Sequence, residues 1–230
     1  MKNKFAFTLA EVLITLVIIG VVAALTIPTA IAKYQKTETA SRLKKAYSTI
    51  AQSTARAVID NGNVENWELG TTGSADTILA FFNTYMAPYL SISKPAAKSS
   101  AGGWNNQYSG LNGAQMSYGS NCVRAYLSDG SSVTAIIESN TETDKRVRLY
   151  VDINGDKKPN MLGRDIFVFY YCMKYAGFNG KIVPGGVLQP KRNLLSPSSD
   201  GANCNKNQTG LRCASVIMED GWQIKDDYPW

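Results

Sequence analysis

Hydrophobic positions are concentrated at the start of the chain. Between Lys4 and Lys33 the only charged residue is Glu11. An apolar run of about 20 residues is long enough to cross the hydrocarbon core of a membrane as a helix. Because Lys2 and Lys4 precede the run, the positive-inside rule keeps the short N-terminus in the cytoplasm. The pattern predicts one transmembrane helix, with the rest of the chain outside the cytoplasm.

A secretory signal peptide has a similar basic start and apolar core. Here the run is longer than such a core usually is, and the nearest small-x-small site, Ala30–Ala32, lies beyond Pro28. A lone carboxylate such as Glu11 is also costly near a membrane unless it is paired. These features favour a helix that is retained, with a plain signal anchor as the alternative.

The helical pattern continues beyond the apolar run. From Thr29 to Asp60, apolar residues recur at three- and four-residue spacing, and most charged residues lie on other faces. Pro28 need not end the helix, because neighbouring groups can compensate for the lost hydrogen bond. The Asn61-Gly62 pair is a stop signal. The sequence therefore predicts one helix about 80 Å long, with an amphipathic second half.

The rest of the chain predicts a small head with an antiparallel sheet. Asp76–Leu90 has the apolar and aromatic content of a second helix. Four short runs separated by tight turns are expected to form a meander of strands. These runs are Cys122–Leu127, Ser132–Glu138, Val147–Ile153 and Asp165–Cys172. The predicted fold class is α+β, with the long helix lying across one face of the sheet.

Three other parts of the head carry weaker patterns. Ser91–Tyr118 is rich in Gly, Ser, Asn, Lys and Pro, and is expected to be an irregular excursion held by Trp104 and Tyr108. Residues 173–208 predict only short pairings, at Val183 and Leu188. The aromatic residues of the C-terminus are expected to hold it on the head. They are Trp222, Tyr228 and Trp230.

The residues around Glu11 resemble a known signature. The segment from Ala6 to Glu11, AFTLAE, followed by an apolar run is similar to the prepilin site of type IV pilins and type II secretion pseudopilins. In that family, a prepilin peptidase cuts on the cytoplasmic side and methylates the new amine. The resemblance places the cut between Ala6 and Phe7, where the family usually has Gly instead of Ala6. It makes Glu11 the assembly glutamate and Pro28 the site of a helix kink.

The resemblance implies a pilin-like fold and a function. The chain would be a structural subunit of a type IV pilus or a type II secretion pseudopilus, packed among like subunits through its N-terminal helix. Its other partners would be prepilin peptidase, an inner-membrane assembly platform and membrane lipid before assembly. Two alternatives stay open: a membrane-anchored binding protein that does not assemble, and a minor tip pilin that binds DNA or a surface.

This interpretation divides the chain into four segments. They are a leader peptide at residues 1–6, a transmembrane or filament-core helix at 7–28, an amphipathic half of the helix at 29–62 and a globular head at 63–230. We expect the protein in the inner membrane as a single-pass protein with its head outside the cytoplasm, and in a pilus or pseudopilus after assembly.

Composition limits the chemistry that the head can perform. The chain contains no histidine, which excludes His-based triads and His-ligated zinc. No spacing marks another catalytic constellation, so we do not expect an enzyme. The net charge of +6, two units of which are Lys2 and Lys4, permits contact with DNA. The sequence has no basic stripe with interleaved aromatic residues, so DNA binding has no further support.

Four cysteines follow the apolar run and predict two disulfides in an oxidising compartment. Cys204 and Cys213 bracket a short polar loop, which makes a local bridge easy to close. Cys122 and Cys172 lie beside predicted strands and would form the other bridge. Four cysteines allow three pairings, and spacing alone does not choose among them.

The polar loop after the third predicted strand is a candidate calcium site. Oxygen ligands at alternate positions resemble the opening of a calcium loop, which also uses a backbone carbonyl and a later carboxylate. The candidate ligands are Asp152, Asn154, Asp156, the carbonyl of Lys158 and Asp165. Some pseudopilins hold calcium in a head loop, so Ca²⁺ is the one cofactor that the resemblance suggests. The alternative is a tight turn at Asn154-Gly155, with the Asp side chains capping backbone amides.

Overall fold

The structure, a computed structural model, describes residues 8–99 and 107–230. Its contacts divide the chain into two compact units, one up to Glu38 and one from Thr39 to Trp230. Helix α1 runs through both units as Leu9–Asn61, with Pro28 inside it. None of the described residues before Ala40 is buried. The described part of the first unit is therefore a helix, apolar over most of its length, whose side chains are not buried within the chain.

The second unit is built on an antiparallel sheet of six strands in the order β1-β4-β5-β6-β7-β8. The described strands are β1 Ile92–Lys98, β2 Gln107–Ser109, β3 Gln115–Ser117, β4 Val123–Leu127, β5 Ser132–Asn140, β6 Lys145–Asp152, β7 Ile166–Lys174 and β8 Lys181–Pro184. Strands β2 and β3 pair separately as a hairpin. Because β4 to β7 are neighbours both in sequence and in space, they form the meander that the turn pattern predicts, and β8 extends it at Val183.

One face of the sheet packs against helices. From α1, the second unit buries Leu43, Ala46 and Ile50, which recur at helical spacing. Helix α2, Ala75–Tyr85, is capped by Ser74 and adds Phe81 and Phe82 to the same core. The strands contribute alternate residues, among them Val133, Leu149 and Phe169. Buried side chains recur about every 3.6 residues along the helices and every second residue along the strands. Both sets of side chains pack together in one core.

The other face of the sheet is more polar and is partly covered by the β2–β3 hairpin. Tyr108 and Tyr118 from the hairpin region are buried there with Tyr150 of β6. Two short helices follow β8: α3, Lys191–Leu195, and α4, Cys213–Glu219. The structure confirms that Tyr108 holds the hairpin region on the head. Trp104 lies outside the described residues.

The C-terminal aromatic residues hold the chain end on the head, as predicted. The hydroxyl of Tyr228 is buried and donates a hydrogen bond of 2.6 Å to the carbonyl of Gly163. The ring of Trp222 packs on Tyr47 of α1 at 5.1 Å between centroids. Trp230 receives the guanidinium of Arg164 on its ring face. The C-terminus is therefore part of the packed head.

The predicted boundaries need two corrections. The second helix ends at Tyr85, not Leu90, and a 3-10 turn at Ala87–Tyr89 follows it because Pro88 cannot continue the helix. The expectation of an irregular excursion at Ser91–Tyr118 is wrong, since β1, β2 and β3 lie within it. Strand β1 tolerates Pro95 because it is an edge strand, and its pairing with β4 shifts register on either side of Lys94.

Candidate functional site

The described N-terminal part of α1 is long and apolar enough to cross a membrane. None of the most apolar stretch of this helix is buried within the chain. Hydroxyl groups within it bond back to the helix: Thr26 donates to the carbonyl of Val22, and Thr29 donates to that of Thr26. Polar side chains are thus satisfied inside the helix, as a lipid environment requires.

Glu11 lies in the first turn of α1 and forms a reciprocal cap with Thr8. The backbone N–H and the hydroxyl of Thr8 each donate a 2.8 Å hydrogen bond to Glu11 Oε2. In return, the backbone N–H of Glu11 donates to the Thr8 hydroxyl at 3.3 Å. This is the capping-box arrangement, which satisfies donors at a helix start. The carboxylate therefore has a local role and is also exposed to a partner from outside the chain.

Of the other residues predicted to act in processing and assembly, only Pro28 lies within the described part of the chain. Ala6 and Phe7, on either side of the predicted cut, lie outside the described residues. Pro28 lies inside α1, where its ring nitrogen cannot donate to the preceding turn. The kink at Pro28 and the assembly role of Glu11 stay predictions.

One of the two predicted disulfides is confirmed. Cys204 and Cys213 are bonded and tie the start of α4 to the preceding loop. The second bridge is wrong, because Cys122 and Cys172 are both buried and free. Cys122 precedes β4 and Cys172 lies in β7, and β5 and β6 run between them. Strands β4 and β7 are therefore three strand spacings apart, which is about 14 Å. A disulfide joins Cα atoms less than about 7 Å apart, so it cannot span this distance.

A guanidinium lies beside the candidate calcium loop. Arg124 of β4 pairs with Asp152 at 3.0 Å and with Asp156 at 3.2 Å. Its Nε also donates to Ser132 at 2.9 Å. The side chains of Arg124 and Asp152 are 2% and 1% exposed, so this ion pair is fully buried. Burial raises the pKa of Asp152 to about 7, and Arg124 acts in the opposite direction.

The carboxylates of the loop cap backbone amides. Asp152 accepts from the N–H of Asn154, and Asp165 accepts from the N–H groups of Asn160 and Met161 at 2.8 and 2.6 Å. Burial raises the pKa of Asp165, and these two amides oppose the rise. Lys158 is exposed. Carboxylates that cap backbone amides are what the alternative hypothesis, a tight turn at Asn154-Gly155, predicts. Gly155 has a φ of 73°, a positive value that such a turn requires.

The contacts do not support a metal at this loop. Within residues 8–99 and 107–230, no group of three or more acidic or cysteine side chains is placed to hold a metal ion. The calcium hypothesis places a positive ion beside the carboxylates of the loop. In the structure, the guanidinium of Arg124 supplies the positive charge beside Asp152 and Asp156. We therefore expect the melting temperature to be the same in calcium and in chelator. A calcium site filled at about 100 times its dissociation constant would add about 2.7 kcal/mol, so a clear upward shift would contradict this interpretation.

Two family models match the chain. Residues 1–27 match the prokaryotic N-terminal methylation motif. Residues 29–230, most of the chain, match a family described as a family of unknown function, DUF6613. The chain belongs to the DUF6613 family. No curated protein and no solved structure matches it.

The N-terminal match confirms the prepilin resemblance for this DUF6613 member. The motif is the type IV pilin and pseudopilin signature, and it identifies a pilin-like or pseudopilin precursor. The architecture agrees, because a long N-terminal helix is followed by a six-stranded antiparallel sheet. The signature is typical of structural proteins rather than enzymes, and its apolar helix indicates membrane anchoring.

Two features of the head escaped sequence reasoning in this DUF6613 member. Arg124 stands in an ordinary alternating strand, and nothing in the sequence links it to Asp152, 28 positions later. A second group of arginines and tyrosines, on β6, β7 and the following loops, lines a pocket on the polar face of the sheet. Its residues come from distant segments, so only the alternation of polar residues along β6 could have indicated it.

Proposed function

We propose that the chain is a structural subunit of a type IV pilus or a type II secretion pseudopilus. Prepilin peptidase would cleave it between Ala6 and Phe7, and like subunits would pack through α1 on an inner-membrane assembly platform. The observation that carries the proposal is the N-terminal methylation motif joined to an apolar helix in which none of the described residues before Ala40 is buried. Lipid covers that surface before assembly, and neighbouring helices cover it afterwards.

The proposal gives each segment a role. Residues 1–6 are the leader, 7–28 form the membrane and filament-core helix, and 29–62 connect it to the head at 63–230. Glu11 pairs with the Phe7 amine of a neighbouring subunit, which sets the register between subunits. A lone carboxylate in an apolar setting needs such a partner. The exposure of Glu11 in the single chain is compatible with this pairing.

Processing of the N-terminus gives the first test. When the full chain is expressed together with prepilin peptidase, mass spectrometry is expected to find a mature N-terminus at an N-methylated Phe7. Expression without the peptidase is the control, and it should leave Met1 in place. An intact Met1 in the presence of peptidase, or a start after Ala32, would contradict the prepilin interpretation.

A further inference from the structure

Basic residues are concentrated on α1 directly after its apolar run. From Val12 to Ala32 the chain has no charged residue. From Lys33 to Lys45, which we call the basic stretch, five residues are basic and only Glu38 is acidic. The five are Lys33, Lys36, Arg42, Lys44 and Lys45, and none of them is buried. Positive charge thus accumulates at one end of a helix that is apolar enough to cross a membrane.

Two cations of the basic stretch are not balanced by a carboxylate of the head. Lys45 pairs with Asp129 at 3.0 Å. Lys33 and Lys44 are exposed, and neither forms an ion pair with any residue in the described part of the chain. Their ammonium groups are therefore available to an anionic partner from outside the chain.

The length of the apolar run places Lys33 at the membrane surface. At 1.5 Å per residue, Val12–Ala32 spans about 31 Å, close to the roughly 30 Å of a hydrocarbon core. The headgroup layer beyond that core is about 5–7 Å thick on each side, or roughly four residues of helix. Lys33, Tyr34 and Lys36 fall within this layer when the run fills the core.

Tyr34 is a second indication of headgroup level. Its side chain is 66% exposed although it is large and partly apolar. Tyrosine is enriched where hydrocarbon meets water, because its ring is apolar and its hydroxyl is polar. Lysine at the end of a membrane helix likewise keeps its stem along the hydrocarbon and its ammonium among the headgroups. A tyrosine next to Lys33 therefore fits a residue pair at the level of lipid phosphates.

The exposed cations farther along α1 do not share one face. Arg42 and Lys44 are both exposed, and two residues correspond to about 200° around a helix, so they lie on nearly opposite sides. A folded protein partner docks on one face, whereas lipids surround a membrane helix. This distribution favours headgroups over one docked protein. Among phospholipids, those with a net negative charge attract basic residues beside a membrane helix.

We propose that the basic stretch of α1 binds the headgroups of anionic phospholipids, with Lys33 in direct contact and Lys44 in their electrostatic field. The proposal rests on the membrane anchoring of α1 and is independent of assembly into a filament. It gives the anchored chain a preference for lipid charge in addition to the apolar match between its helix and the hydrocarbon core.

Electron spin resonance of the full chain in phosphatidylcholine vesicles tests this preference. Spin-labelled phosphatidylglycerol or phosphatidylcholine is added in trace amounts, and the motionally restricted fraction measures the lipid in contact with the protein. Phosphatidylglycerol is expected to associate at least about twofold more strongly, since one basic residue contributes about fivefold and the measurement averages over both leaflets. In about 1 M salt, where the Debye length is about 3 Å, the ratio should approach one.

Two double variants assign the preference to the basic stretch. Lys33→Gln combined with Lys44→Gln should lower the ratio about twofold, toward one. Because neither lysine has an ion-pair partner in the described part of the chain, the head keeps its contacts. Lys157→Gln combined with Lys158→Gln is the matched control. It removes the same charge from two exposed lysines of the loop after β6 and should keep the wild-type ratio.

Equal association of the two lipids with wild-type chain would overturn the proposal, as would an equal loss of preference in both double variants. Cross-linking between copies that depends on Lys33 and Lys44, with a lipid ratio of one, would show that the basic stretch binds carboxylates of a second copy instead. A spectrum with no restricted component for either lipid would overturn the anchoring itself. Cleavage before Phe7 is measured separately, so the processing proposal can hold when the lipid preference fails.

Discussion

Asp152→Ala is expected to lower the free energy of unfolding by about 3–5 kcal/mol, the cost of breaking a buried ion pair from one side. Arg124 cannot lose its proton, so its guanidinium would stay charged while 2% exposed. The partners that it keeps include the Ser132 hydroxyl and the carboxylate of Asp156. Urea denaturation of the full chain in detergent, followed by tryptophan fluorescence, measures the loss.

Asp156→Ala is the matched control for this change. Asp156 meets the same guanidinium at 3.2 Å and accepts a 2.6 Å hydrogen bond from Tyr126, but its side chain is 44% exposed. Pairs that water can reach contribute about 1 kcal/mol or less. A similar loss in both variants would show that burial of the Arg124–Asp152 pair does not determine the stability of the head.

Glu11→Ala is expected to abolish filament assembly while leaving N-terminal cleavage nearly intact. The proposed pair with the Phe7 amine of a neighbouring subunit would lose one member, at a cost of about 3–5 kcal/mol per contact. A loss of that size lowers each association constant by roughly two to four tenfold steps. Sheared filament yield, normalised to total mature protein, measures the effect.

The Thr8–Glu11 cap supplies the control that separates assembly from helix capping. Thr8→Val removes the hydroxyl that bonds Glu11 in both directions but keeps the carboxylate. Glu11→Gln keeps a side chain that can cap but removes the charge. If the charge sets subunit register, Thr8→Val assembles and Glu11→Gln does not. The opposite order would mean that Glu11 acts only as a cap.

Local patterns predicted the elements that depend on local chemistry. Helix α1 begins and ends close to the predicted residues because the apolar run, the spacing of Leu43 to Ile50 and the stop at Asn61 all act within a few turns. Strands β4 to β7 are found as predicted because tight turns such as that at Gly130 separate alternating runs. Strand β1 was missed, since Pro95 and Lys94 are typical of loops and are tolerated only at an edge.

Contacts between distant segments were beyond the reach of sequence reasoning. The pattern of Asp and Asn residues in the 152–165 loop predicts a cation beside them, and the cation that contacts Asp152 and Asp156 in the structure is Arg124 from β4. Spacing did not distinguish a calcium loop from a turn, because both use carboxylates at alternate positions. The prediction of a second disulfide is wrong for a similar reason. The spacing of cysteines in the sequence does not reveal the strand order, and that order places β5 and β6 between Cys122 and Cys172.

Immunogold electron microscopy with antibodies to the head tests the central claim most directly. Cells that express the chain with a functional pilus or pseudopilus assembly system are labelled before and after filaments are sheared off. Our account predicts label along the length of the filaments, and its loss from them in Glu11→Ala cells that still contain mature protein. Label confined to the inner membrane of cells that do assemble filaments would contradict it.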